Sequence, residues 1–144
     1  LIRRFYEAKK KSLKEVTCWG TGRPLREFMH VDDLADAVLF CLEKWDPNTE
    51  SVTNLANGQK INYLNVGTGE EVSIKDLAEM IAAEIGYQGN IKWDINKPDG
   101  TPRKLLNIER INKLGWNPKI SLKKGLHITI SDFIDKYEKN KLKI

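Results

Sequence analysis

Several side chains of this sequence are of types that bind anions or stack on planar rings. Trp19 ends a predicted strand beside a glycine turn, where an indole face can lie against a ring. Arginine offers a fork of N–H donors that matches phosphate oxygens. Residues 99–104 place an acid and two bases on a proline-stiffened loop. A sugar-phosphate or nucleotide site is one interpretation and surface decoration is the other; the candidates are Arg3, Arg4, Trp19, Arg26, Asp99, Arg103 and Lys104.

The net charge of +4 is distributed unevenly over the 144 residues. Residues 1–26 carry +6, residues 27–96 carry −9 and residues 97–124 carry +6. An anionic ligand held between the two basic segments would account for this pattern. The lysine runs at 9–11 and 123–124 are instead typical of solvated helix faces. A nucleic-acid partner is not expected, because no aromatic residues interleave with the basic runs.

Two Gly-Thr-Gly segments occur, at Gly20–Gly22 and at Gly67–Gly69. A dinucleotide-binding fingerprint would place a further glycine three residues later. This sequence has Leu25 and Val72 there, so both segments are predicted to be turns and no cofactor-binding residue is expected.

Catalytic and metal-binding residues are not predicted. Tyr6 and Lys10 have the spacing of a dehydrogenase tyrosine–lysine pair, as do Tyr137 and Lys141, but 18 lysines make such coincidences common. His30, beside a predicted helix start, is expected to be structural. The two histidines and two cysteines lack metal-ligand spacing.

The elements that must position these residues form a predicted small mixed α/β domain over residues 1–144. Its second helix is apolar on several faces, which predicts deep burial, and Asp32 or Asp33 is expected to cap it. Residues 46–60 are polar and rich in turn formers, which predicts a surface loop, with or without a frayed hairpin. The predicted helices are 1–11, 32–44, 74–85, 108–114 and one beginning at Ser121, and the predicted strands are 16–19, 62–66 and 91–95.

Five stretches, read in order, resemble the C-terminal portion of the GDP-L-fucose synthase family, which are extended short-chain dehydrogenases/reductases. They are LIRRFYEAK, WGTGRPLREFMHVDDLADA, NVGTGEEVSIKDLAEMIA, KPDGTPRKLL and LGWNPKISLKKGL, and they run from Leu1 to about Phe133. The resemblance implies the substrate-binding part of an α/β enzyme whose Rossmann half is missing. It implies a parent enzyme that uses NADP(H) to convert GDP-4-keto-6-deoxy-D-mannose to GDP-L-fucose.

The same resemblance implies roles for five residues. Arg4 and Arg26 would contact the substrate diphosphate, and Trp19 would lie against the guanine or its ribose. Asp99 and Lys104 would hold the nucleoside-sugar from the opposite wall. The family's NADP-binding turn, its Ser/Tyr/Lys set and its epimerisation Cys and His would lie in the missing half, so this chain alone is expected to be inactive.

Further expectations concern partners and location. A GDP-sugar substrate is expected and a membrane is not, while the parent is expected to be a homodimer whose contact lies mainly in the missing half. Cys18 and Cys41 fit free thiols in the cytoplasm. A start without methionine, inside a helix, suggests a piece of a longer protein, whose absent remainder would leave an apolar patch exposed and favour self-association. The alternatives are another nucleotide-sugar epimerase or dehydratase, a stand-alone anionic-nucleotide binding domain, or a basic nucleic-acid binder.

Overall fold

A computed structural model describes residues 1–48 and 63–141. Those residues form five helices and five short strands, which confirms the predicted mixed α/β class. The elements in chain order are α1 (Ile2–Lys10), β1 (Glu15–Trp19), β2 (Leu25–Arg26), α2 (Val31–Lys44), β3 (Val72–Ser73), α3 (Ile74–Ile85), β4 (Asn90–Asp94), β5 (Arg103–Lys104), α4 (Glu109–Lys113) and α5 (Leu122–Glu138).

The chain divides into two compact units of opposite charge. Unit 1 comprises Leu1–Arg26, Glu71–Lys104 and Leu122–Ile144, and unit 2 comprises Glu27–Glu70 and Leu105–Ser121. Unit 1 contains 19 Lys and Arg against 11 Asp and Glu, whereas unit 2 contains 5 against 9. All the candidate ligand-binding residues belong to the basic unit. That residues 1–144 act as one substrate domain stays a prediction.

Two small sheets give unit 1 its frame. Strand β1 runs parallel to β4, with Trp19 paired to Asp94 at one end. Strand β2 lies between β3, to which it is antiparallel, and β5, to which it is parallel. Strands β2, β3 and β5 were not expected from the sequence, because two-residue strands are too short to show an alternating pattern.

The core of unit 1 lies between β1 and three helices. Burial alternates along β1: Val16 and Cys18 are buried, whereas Glu15, Thr17 and Trp19 are exposed. Helix α1 buries Phe5 completely. Helix α3 has the predicted capping arrangement, since Ser73 Oγ accepts a hydrogen bond of 3.0 Å from the Asp76 amide. Apolar residues of α5 cover this core at the predicted positions, namely Leu122, Leu126, Ile130, Phe133, Ile134 and Tyr137.

The cap predicted for α2 at Asp32 or Asp33 is wrong. His30 caps the helix, because its Nδ1 accepts a hydrogen bond of 3.2 Å from the Asp32 amide. Asp33 is buried for another purpose within unit 2: its carboxylate accepts from the amides of Lys119 and Ile120 at 2.9 to 3.2 Å. His30 thus has the structural role expected of it.

The deep burial predicted for α2 is also wrong. Its only fully buried residues are Asp33 and Ala37, since one face alone packs on Ile108, Ile111 and Trp116. The opposite face carries exposed aliphatic side chains, and Leu42 is 79 % exposed. The exposed members of this face are Val31, Leu34, Val38, Leu39 and Leu42. That an absent part of a longer protein covers this face stays a prediction.

Two other predictions fall partly outside the residues that the structure describes. Residues 63–66 form no strand, and Tyr63 is exposed, so the predicted buried strand is wrong over those four residues, while Asn62 lies outside the description. The 46–60 loop lies outside it from residue 49 onward. None of the helices in the two described ranges combines the length and the apolar character that crossing a bilayer requires.

Replacing Phe5 tests the core of unit 1. Phe5→Ala should lower the free energy of unfolding by about 3–5 kcal/mol, because it removes a fully buried aromatic ring and leaves a cavity. Urea denaturation followed by circular dichroism measures this. Ile95→Ala is the matched control, because Ile95 is 73 % exposed and its loss should change stability by less than about 0.5 kcal/mol. Equal effects of the two substitutions would contradict the assigned core.

Candidate functional site

Arg4 is anchored beside β1. The inward-facing Phe5 and Ala8 fix the rotation of α1 and turn Arg4 outward. Its Nη1 donates a hydrogen bond of 2.9 Å to the Thr17 carbonyl oxygen. A guanidinium has five N–H donors, more than this bond uses. The guanidinium also bonds to the side chain of Cys18, which faces the buried side of β1, whereas Trp19 lies on the exposed side.

Trp19 presents its indole at the end of β1. The side chain is 68 % exposed, although a large aromatic surface normally gains from burial. Lys97 Nζ lies 5.5 Å from the ring centroid, a cation–π distance. The indole face and the ammonium group together suit a planar ring that carries negative charge on its substituent.

Arg26 and Lys104 lie side by side. They are register partners on the parallel strands β2 and β5, which lie about 4.8 Å apart. Arg26 Nη1 donates a 2.6 Å hydrogen bond to the Leu25 carbonyl oxygen, which fixes the guanidinium. Lys104 is exposed. Two neighbouring cations at this spacing suit the two phosphates of a diphosphate.

Arg103 serves a different purpose. Its Nε and Nη2 donate to the carboxylate of Glu71 at 2.6 to 2.9 Å. This guanidinium holds the pKa of the Glu71 carboxyl below its ordinary value. The charge of Arg103 is therefore balanced within unit 1, which leaves Lys104 as the better ligand-binding candidate of the pair.

Asp99 is bound to another part of the protein. Its Oδ2 accepts a 2.6 Å hydrogen bond from the Thr21 hydroxyl, and its Oδ1 accepts one of 2.8 Å from the Thr21 amide. These bonds, the hydroxyl bond first, hold the pKa of the Asp99 carboxyl below its ordinary value. Asp99 also lines a small open cleft of about 120 Å³, together with Arg23, Pro24, Gly100 and Pro102.

A series of contacts within unit 1 links four of the five candidates, namely Trp19, Asp99, Arg26 and Lys104. Asp99 bonds to Thr21, two residues after Trp19. The next residue, Gly100, lies against Arg26, because a Cβ built on it would be 3.0 Å from Arg26 Nη2. Lys104 is the strand partner of Arg26. Arg4 is connected to these residues through β1, where it bonds to the Thr17 carbonyl oxygen.

Sequence reasoning missed two members of the site. Thr21 lies in a segment that was predicted only as a turn, and Lys97 lies in the loop between β4 and β5, where no role was predicted for it. The signal for Thr21 is its position between two glycines, since such a turn exposes backbone amides to a neighbouring acceptor.

Both Gly-Thr-Gly segments are turns, as predicted. In each turn, a carboxylate of the chain accepts a hydrogen bond from a backbone amide. Asp99 fills the first. At the second, Glu27 Oε1 accepts hydrogen bonds of 2.6 Å from the amides of Thr68 and Gly69. A Cβ on Gly67 would collide with this carboxylate, which explains the glycine there. Amides that already hold a carboxylate are not available to a phosphate.

The first Tyr-x-x-x-Lys pair is structural. The Tyr6 hydroxyl donates to Glu138 on α5, and Lys10 Nζ lies 2.9 Å from the same carboxylate. The hydrogen bond to Glu138 raises the pKa of Tyr6, whereas an acid–base tyrosine needs a lowered one. The Tyr137 hydroxyl likewise donates to Glu7, at 3.3 Å. Both tyrosines therefore join α1 to α5.

Comparison with known proteins shows what the chain as a whole is similar to. The NAD dependent epimerase/dehydratase family model matches residues 1–56. The probable GDP-L-fucose synthase 1 of Oryza sativa subsp. japonica is 47 % identical over 94 % of this chain and 37 % of its own length. The GDP-L-fucose synthase of Escherichia coli (strain K12) is 41 % identical over 96 % of this chain and 42 % of its own length. Over nearly its whole length the chain is therefore similar to proteins named GDP-L-fucose synthase.

A solved structure supports the same relationship. The GDP-mannoheptose C4 reductase from Campylobacter jejuni, with NADP bound, superposes with a TM-score of 0.74 at 30 % identity. The match covers 93 % of this chain and 43 % of the reductase. The chain thus spans about two-fifths of the length of the proteins it matches.

The carboxylate in the second turn can be tested by amide exchange. Glu27→Gln should speed hydrogen exchange at the Thr68 and Gly69 amides about fivefold, because a neutral acceptor binds an N–H about 1 kcal/mol less well than a charged one. Nuclear magnetic resonance reports each amide separately. Glu70→Gln, at an exposed neighbouring carboxyl, is the control and should leave both rates unchanged. Unchanged rates in Glu27→Gln would contradict the role given to that carboxylate.

Proposed function

We propose that this chain is the part of an NADP-dependent epimerase-reductase that binds the GDP-sugar, in the conversion of GDP-4-keto-6-deoxy-D-mannose to GDP-L-fucose. The proposal depends on one observation: the exposed Trp19, with Lys97 over its ring, lies in the same unit as the paired cations Arg26 and Lys104. Proteins up to 47 % identical to the chain are named GDP-L-fucose synthases, which supports the choice of a GDP-sugar.

Each side chain then has a physical task. The face of Trp19 stacks on the guanine or its ribose, and Lys97 balances nearby phosphate charge. Arg26 and Lys104 donate charge-assisted hydrogen bonds to the diphosphate, which are about twice as strong as neutral ones. Arg4, held at Thr17, adds a donor from the β1 side. The excess of basic residues in unit 1 draws the anionic substrate toward them.

The described residues do not fit the NADP that such an enzyme uses. A dinucleotide cradle needs free backbone amides at a glycine turn, and Asp99 and Glu27 fill the turns at Gly20 and Gly67. The tyrosines with the reductase spacing bond to carboxylates. Within residues 1–48 and 63–141 we therefore assign binding and no step of proton or hydride transfer.

Two further expectations belong to this proposal. The longer parent enzyme is a homodimer, and the protein works in the cytoplasm. Burial raises the pKa of both Cys18 and Cys41, which keeps them as unreactive thiols and suits a reducing compartment.

Nucleotide binding is the first test. The chain should bind GDP more tightly than UDP, because a purine covers more of the indole than a pyrimidine. Trp19→Ala should weaken GDP binding about 5- to 150-fold, since stacking on one aromatic side chain contributes about 1–3 kcal/mol per base. Titration calorimetry measures both.

Trp19→Phe is the matched control, because it keeps an aromatic face and should retain most of the affinity. Tighter binding of UDP or dTDP would favour an epimerase or dehydratase for another nucleotide-sugar. Full affinity in Trp19→Ala, together with a steep loss of binding in salt, would favour a nonspecific anion binder.

The absence of chemistry in this chain is a separate prediction. With NADPH and the 4-keto-sugar, the chain should give no loss of absorbance from the reduced nicotinamide, because the acid–base tyrosine and the dinucleotide cradle are not among its described residues. The Escherichia coli relative is the positive control. Turnover above the rate without protein would contradict the proposal that the chain binds without catalysing.

A further inference from the structure

The sheet that carries Arg26 and Lys104 is very short. Each of its three strands, β2, β3 and β5, contains two residues, whereas strands usually have about 3–10. Two register pairs join β2 to β5, namely Leu25 with Arg103 and Arg26 with Lys104. Because so small a ladder holds its strands weakly, the spacing of the two cations needs further support.

An ion pair joins the two outer strands of this sheet. Glu71 immediately precedes β3 and Arg103 begins β5, with β2 between those strands. Arg103 Nε lies 2.8 and 2.9 Å from the two carboxylate oxygens of Glu71, and Nη2 lies 2.6 Å from one of them. The Glu71 side chain is the shielded partner, since it is only 14 % exposed. A contact with two donors fixes direction as well as distance, so the ion pair holds β5 against the rest of the sheet.

This ion pair lies on the sheet face opposite to the two proposed phosphate-binding cations. Successive residues of a strand point to opposite faces, whereas register partners point to the same face. Arg26, its β3 partner Val72 and its β5 partner Lys104 therefore share one face. Arg103 and Glu71 each precede a residue of this face, so both lie on the other. Glu71 can thus hold β5 in place without contacting an anion bound at the two cations.

We propose that Glu71 is a positioning residue, which acts through Arg103 to keep Lys104 beside Arg26 at the spacing that a diphosphate requires. The inference rests on the proposed function, because the spacing matters only if an anionic ligand binds there. It gives a carboxylate a favourable role in an anion-binding site, although a negative charge by itself repels the ligand. The effect of the ion pair on the strand exceeds that repulsion.

Replacing Glu71 by glutamine separates positioning from simple electrostatics. If charge alone mattered, Glu71→Gln would tighten GDP binding, because a negative charge near the phosphates is removed. Positioning predicts the opposite sign: Glu71→Gln should weaken GDP binding about three- to tenfold, as expected when a charge-assisted hydrogen bond becomes a neutral one. Titration calorimetry measures the affinity. Glu70→Gln removes the same charge at the exposed neighbouring residue, so it is the matched control and should not weaken binding.

A double-mutant cycle with Lys104 shows whether Glu71 acts through it. Lys104→Ala alone should weaken GDP binding about 10- to 150-fold, the cost of losing a hydrogen bond between charged groups. In the Lys104→Ala background, Glu71→Gln should change the affinity by less than about twofold, because the group that it positions is gone. Arg103→Lys keeps the charge but not the two-donor contact, so it should weaken binding as Glu71→Gln does.

Amide exchange without nucleotide reports on the sheet itself. The Leu25 amide donates to the Pro102 carbonyl oxygen at 2.9 Å, directly before β5. Its exchange should accelerate about fivefold in Glu71→Gln and stay unchanged in Glu70→Gln. Exchange at Ile81, in the buried core of α3, should match the unsubstituted chain in both variants and so show that they are folded. If Glu71→Gln does not fold, Arg103→Lys permits the same measurements, because the Arg103 side chain is 63 % exposed.

Each outcome has one meaning. Weaker binding in Glu71→Gln that disappears in the Lys104→Ala background, with faster exchange at Leu25, supports the positioning role. Equal or tighter binding in Glu71→Gln would overturn it, and so would losses from the two substitutions that multiply. An unchanged exchange rate at Leu25 would overturn it as well, because β5 would then be held without Glu71. An unsubstituted chain that does not bind GDP would instead overturn the proposed function, and the positioning role with it.

Discussion

Unit 1 depends on the burial of one face of α1. Phe5 is fully buried and Ala8 nearly so, between β1, α3 and α5. Polar contacts from the same helix then fix its neighbours: Arg4 holds the Thr17 carbonyl of β1, and Lys9 donates to the last carbonyl of α3, at Ile85, over 2.7 Å. Strand β1 in turn pairs with β4, whose end leads into the loop that carries Asp99. The position of the candidate site therefore follows from an apolar contact on the far side of the strand.

Carboxylates in this chain mostly serve its architecture. Asp33, Glu27 and Asp99 each accept hydrogen bonds from two backbone amides or from an amide and a hydroxyl. Glu71 balances Arg103. Asp99 and Glu71 lie in the same unit as Trp19, and their partners are Thr21 and Arg103 rather than Arg26 or Lys104. A charged acceptor also fixes a turn more firmly than a neutral one.

The parts of the fold that sequence could predict are those where several local signals agree. Helix α3 has a capping serine, a regular apolar period and a terminal glycine with a φ of 73°, and all three point to the same boundaries. By contrast, β2 pairs with Val72–Ser73 and Arg103–Lys104, far along the chain, and no local pattern shows such partners. The exposed Trp19 followed from its place at a strand end. The partner of Asp99 did not, because Thr21 lies 78 residues away and looked like an ordinary turn residue.

The order in which the segments of unit 1 occur along the chain has a consequence for synthesis. Its core joins Phe5 to Ile130, and the residues between them include both segments of unit 2. A ribosome working at roughly 5–20 residues per second needs on the order of 6–25 s to make that span. Until α5 emerges, α1 and β1 lack the helix that completes their cover, and such high contact order slows folding. The nascent chain therefore exposes the apolar face of α1, with Phe5, for seconds, long enough for chaperones to bind it before the native partner exists.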